Sequence, residues 1–92
     1  MAEKQPSPQA AAAVLFDQMR SNYGQYEMGS ENQLILIALA DWRNEPTFVI
    51  PDGNQAVSEA RRLDNELLLE IVRRDSRFKQ ILAKLRETQG EN

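Results

Sequence analysis

The chain has neither cysteine nor histidine in its 92 residues. No disulfide can staple it, and no thiolate or imidazole can act as nucleophile, general base or metal ligand. Secreted domains of this size usually lean on disulfides, so a reducing interior or a well-packed core is expected instead. Aromatic residues reach only 7%. Apolar runs are short as well. The longest, Ala10–Phe16 and Leu34–Ala40, fall far below the roughly 20 residues of a membrane span. Glu3 and Lys4 followed by Pro6 and Pro8 do not form a basic stretch leading into a long apolar one, so no signal peptide is read and a cytoplasmic location is expected.

What is present suits one small domain. Hydrophobic residues make up 41% and charged residues 27%, a normal balance for a folded chain. The net charge of −3 leaves no overall basic footprint. Its distribution is uneven. Residues 1–54 hold three Lys/Arg against seven Asp/Glu, a net of −4, and residues 55–88 hold eight against six, a net of +2. Two halves of opposite sign can attract each other within one chain or between two.

An all-α or mostly α fold of three or four helices is expected. Residues 1–7 read as a flexible tail, 8–88 as a single helical domain and 89–92 as a frayed end. Ser7 and Pro8 are a good cap and first position for a helix over Gln9–Ser21, whose alanine run is strongly helix-forming. Ala12, Leu15, Phe16, Met19 and Tyr23 share one face of it. Ser30 with Gln33 has the spacing of a capping box ahead of Leu34–Trp42. The competing reading is α+β, with a small hairpin at 34–50 that pairs Leu34–Ile37 with Thr47–Ile50. The capping signature favours helix. Thr47–Ile50 is extended in either case, because Pro51 follows it, and Pro51–Asn54 reads as a turn.

The strongest pattern lies in residues 55–88. Val57, Ala60, Leu67, Ile71, Phe78, Ile81 and Leu85 recur at spacings of three and four, with polar interruptions at Asp64 and Arg74. This predicts one long amphipathic helical stretch, or two helices end to end with Asp75 or Ser76 capping the second. Such a stripe needs a surface to cover it, from the chain's own first half or from another protein.

Four motif fragments fail on inspection. Gly24 and Gly29 have phosphate-loop spacing, but Ser30-Glu31 follows where Lys and Ser/Thr belong. Ser76 and Lys79 have the spacing of a lysine-activated serine, in a chain too small to enclose the dry pocket such chemistry needs. Asp52-Gly53-Asn54 holds only a fragment of a calcium loop. Glu66 and Glu70, one helical turn apart beside arginines, read as surface charge pairs. No enzyme activity, catalytic set, cofactor or metal ligand is therefore expected.

The expected function is that of a small protein–protein interaction module, an adaptor, regulator or assembly subunit, that also self-associates. Leu67, Ile71, Phe78, Ile81 and Leu85 would form the docking interface. Arg61, Arg62, Arg73, Arg74 and Arg77 would steer an acidic protein surface. In an antiparallel homodimer Arg74 of one chain could meet Asp64 of the other; a monomeric bundle is the simpler account of the same pattern. The alternative function is a dimeric nucleic-acid-binding regulator using the basic C-terminal helix. The interspersed Glu59, Asp64, Glu66, Glu70, Asp75 and Glu87 oppose phosphate binding, and no membrane partner is expected.

Overall fold

A computed structural model describes residues 5–50 and 53–90. Among them are five α-helices and no strand: α1 (Pro8–Arg20), α2 (Glu31–Arg43), α3 (Gly53–Ala60), α4 (Asn65–Val72) and α5 (Ser76–Gly90), with a short 3-10 turn at Tyr23–Gln25. The all-α expectation holds, and the hairpin alternative does not. None of the helices is long and apolar enough to cross a membrane.

The first two helices begin where their caps put them. The Ser7 hydroxyl accepts a hydrogen bond from the Ala10 N–H at 3.1 Å, and Pro8 takes the first helical position. Ser30 Oγ accepts from the Gln33 N–H at 3.3 Å. The Gln33 side chain reaches back to the Gly29 N–H, one residue earlier than a standard capping box. Gly29 itself sits at φ +80°, a conformation that costs glycine nothing. The turn expected at Pro51–Asn54 lies partly outside the described residues, and Gly53 and Asn54 already belong to α3.

The C-terminal stretch differs most from expectation. It is three helices, so the count rises from three or four to five. The breaks fall at the two polar interruptions. Asp64 Oδ1 accepts from the Leu67 N–H at 2.9 Å and caps α4. Asp75 Oδ1 accepts from the N–H groups of Arg77 at 2.8 Å and Phe78 at 3.2 Å and caps α5. Each carboxylate satisfies N–H groups that a helix start leaves orphaned. The chain can therefore turn twice at little cost.

Those turns set the packing. α1 lies against α2, α3 and α4, and α5 runs along α2. The core joins Leu15, Ile35 and Leu39 to Leu68, Val72 and Phe78, each at most 2% exposed. Trp42 is the aromatic centre. Phe48 meets it edge-on at 4.9 Å between centroids, and Phe78 lies at 6.1 Å. The 48–50 segment is held down by Phe48 and by the Val49 N–H, which donates to Gln9 Oε1 at 2.6 Å. It forms neither helix nor strand. Arg43 braces α1 to α2 with its guanidinium 4.7 Å from the centroid of the Phe16 ring. Residues 1–4 and 91–92 of the expected termini lie outside the described residues. Gln5–Ser7 is not a free tail: Pro6 is buried, and Gln5 Oε1 accepts from Arg74 Nη1 at 2.6 Å.

The burial pattern separates two residues of the expected stripe. Phe78 is fully enclosed and Leu67 is 45% exposed. Phe78→Ala should cost about 3–5 kcal/mol of stability, whereas Leu67→Ala should cost under about 1 kcal/mol. Urea unfolding of the two variants measures both, and equal losses would contradict this packing.

Candidate docking groove

Helix breaks at 61–64 and 73–75 divide the residues expected to share one stripe. Leu67 and Ile71 line a groove at the α3–α4 side. Ile81 and Leu85 line a second groove between α2 and α5. Phe78 is in the core, where a protein docking on this surface cannot reach it. The sequence periodicity survives across the breaks, but α3 and α4 turn toward α1 while α5 turns toward α2.

The α3–α4 groove has a volume of about 600 Å³. Its floor is Leu63, Leu67 and Ile71, and its rim carries Glu59, Arg62, Glu70 and Arg74. Gln5 and Pro6 form one wall. Among the described residues Leu67 is the exposed large apolar side chain on an α-helix; Met28, Val49 and Tyr23 are more exposed but stand apart on connecting segments. Glu59, Glu70 and the Gln5–Pro6 wall were not anticipated, because their approach to Leu67 depends on how α3 and the N-terminal segment fold against α4.

The second groove, about 540 Å³, is spanned by charge. Arg77 grips Glu45 with its guanidinium, Nε lying 2.9 Å from both carboxylate oxygens, and a second nitrogen, Nη2, also donates to Oε2. This hydrogen bonding pulls the Glu45 carboxyl below its ordinary pKa; desolvation pushes back, and the Arg77 charge adds to the lowering. The same contact raises Arg77. Arg86 is likewise paired with Glu31 of α2. Two of the basic residues on α5 are thus engaged by the chain's own acidic half.

The remaining steering arginines are placed differently. Arg61 and Arg62 sit in the α3–α4 turn, and Arg73 and Arg74 in the α4–α5 turn, all four exposed. Arg62 and Arg74 reach the α3–α4 groove. Arg73 borders a smaller hollow of about 200 Å³ with Lys79 and Arg86. Arg77 is held by Glu45, so the five arginines do not act as one cluster.

Among the described residues, no group of three or more acidic side chains is placed to hold a metal ion. Comparison with known protein families, with curated proteins and with solved structures finds no match for this chain.

The Glu45–Arg77 pair makes stability depend on pH. A carboxyl whose folded pKa is depressed adds stability above its unfolded pKa, and that stability is lost as pH falls through the folded value. Wild-type protein should therefore melt higher than Glu45→Gln at neutral pH. The gap should shrink once pH drops below about 4.5, the ordinary value for this group. A gap that stays constant down to pH 3 in melting curves would assign the contact to packing alone.

Proposed function

We propose that this chain is a protein–protein interaction module, of the adaptor or assembly-subunit kind, working in the cytoplasm. It docks its partner in the α3–α4 groove. The observation that carries this reading is Leu67, 45% exposed on a helix and flanked on the groove floor by Leu63 and Ile71. An apolar centre ringed by charges is the anatomy of a protein interface. The centre supplies affinity by burial, and the ring excludes water and sets orientation. An exposed face on a short amphipathic helix suits a partner helix laid alongside it.

A binding role also fits the chemistry. A chain without cysteine or histidine lacks the residues most often used for nucleophilic and proton-transfer catalysis at neutral pH. The arginines at Arg62 and Arg74 offer planar forks for carboxylates on whatever docks, while Glu59 and Glu70 set a matching demand for cations.

A photo-crosslinking residue at position 67 of the full chain tests this in cells that express it. Discrete adducts are expected at 67 but not at the control position 79 on α5. Excess wild-type chain should compete them away, and excess Leu67→Asp should not. Diffuse adducts at both positions would sink the reading.

A further inference from the structure

The break between α4 and α5 is nearly helical itself. Residues 73–75 contain neither glycine nor proline, so each can take helical backbone. Arg73 already does, at φ −66° and ψ −10°, and its N–H bonds the Leu69 carbonyl at 2.9 Å. The N–H groups of Arg74 and Asp75 bond the carbonyls of Ile71 and Val72 at 3.1 and 3.0 Å. Beyond the break, the Lys79 N–H returns to the Asp75 carbonyl at 3.2 Å. A straight helix through this point needs main-chain bonds from the N–H groups of Ser76, Arg77 and Phe78. In the bent form the Asp75 carboxylate holds the last two of these. Bent and straight are close alternatives, and the Asp75 side chain favours the bend.

The packing of α5 is confined in the same way. It runs along α2, with the Phe78 ring 6.1 Å from that of Trp42. Ion pairs hold both its ends. Arg77 near its start binds Glu45 just past the end of α2, and Arg86 near its end binds Glu31 at the start of α2. Charge matches along the contact: α5 carries four Lys/Arg and one Glu, and residues 31–45 carry three Asp/Glu and one Arg. None of these contacts requires α2 and α5 to belong to the same chain.

We infer that α5 is an exchangeable arm. At high concentration the hinge at 73–75 straightens, and α5 docks on α2 of a second copy, whose own α5 returns to the first. The straight helix from 65 to 90 runs about 39 Å and carries α5 clear of its own α2. The exchanged dimer repeats the α2–α5 contacts of the closed chain, so a second copy is the partner for which that face is already built. The closed chain keeps the advantage of an arm tethered at millimolar effective concentration, and it prevails in dilute solution. The α3–α4 groove takes no part in the exchange.

Two substitutions push the hinge in opposite directions. Ser76 is the first residue of α5, where proline suits the bent form and breaks a straight helix. Asp75→Ala removes the cap and leaves a strong helix former. Sedimentation equilibrium from about 10 µM to 1 mM, on chains refolded from urea, should find Ser76→Pro at 10.5 kDa throughout and Asp75→Ala approaching twice that mass. Loss of a cap shifts a helix by about fivefold, and each dimer has two hinges, so Asp75→Ala should dimerise about 25-fold more tightly than wild type. A second pair of variants identifies the exchanged element. Glu45→Arg and Arg77→Glu each set like charges together in the closed form. Refolded as an equal mixture they should form a dimer containing one of each, because every α5 then meets the opposite charge on the other chain. Adding Ser76→Pro to both should abolish that dimer, which separates exchange from simple attraction between the two variants. Circular dichroism confirms that each variant is helical. An Asp75→Ala chain monomeric to the highest concentration, a Ser76→Pro chain that dimerises as Asp75→Ala does, a mixture that stays monomeric, or a mixed dimer that survives Ser76→Pro would each overturn the exchange.

Discussion

Two aspartate caps decide the shape of this molecule. Residues 53–90 contain enough helix-forming sequence for a single rod, which at 1.5 Å per residue would run about 57 Å. The helices available to cover it, α1 and α2, have 13 residues each and reach only about 20 Å. A continuous rod would leave most of its apolar side chains in water. Asp64 and Asp75 end that possibility by bonding the N–H groups of Leu67, Arg77 and Phe78. The freed chain turns twice, lays α4 on α1 and runs α5 along α2. Leu68 and Val72 then share a core with Leu15, and Phe78 approaches Trp42. The packing of α4 and α5 on the first half follows from those two reversals, whereas α1 and α2 meet without them.

What was legible in the sequence was what short-range chemistry controls. Ser7 with Pro8 and Ser30 with Gln33 mark helix starts within four residues of themselves, and both were read correctly. The Ser30 signature also decided Leu34–Trp42 in favour of helix, where apolar content alone could not. The 55–88 stretch was harder for a physical reason. Each short helix repeats its apolar residues at threes and fours, and the intervening turns preserve the count well enough to mimic one seam. An aspartate in such a seam can sit on the wet side of a rod or cap a new helix. The choice depends on what the following turn gains by packing elsewhere, and that gain is tertiary. The charge pairs were hidden in the same way. Glu45 and Arg77 are 32 residues apart, and Glu31 and Arg86 are 55 apart. Only the opposite signs of the two halves hinted that such pairs would form.

The candidate groove is a by-product of the same reversals. The α4 sequence Asn65–Val72 holds five aliphatic residues in eight. A helix of two turns laid on one neighbour can bury about one side. Leu68, Ile71 and Val72 take that place, and Leu69 is half-buried at the edge of the cleft near Leu15, Met19 and Tyr26. Leu67 is the surplus. A single exposed leucine is ordinary on a protein surface; one on a groove floor with a charge-balanced rim has a setting that isolated Met28 lacks.

The charges that flank α4 and the leucine exposed on it have separate physical explanations. Acids near a helix N-terminus and bases near its C-terminus are favourable within one chain, because they oppose the helix dipole. That effect accounts for the signs at Asp64, Glu66, Arg73 and Arg74 without any partner. It does not account for an aliphatic residue held at the wet surface between them, since Leu67 contributes nothing to the dipole and loses hydrophobic stabilisation where it stands. The charges at the ends of α4 are thus explained within one chain, and the exposed leucine between them is the part that the dipole leaves unexplained.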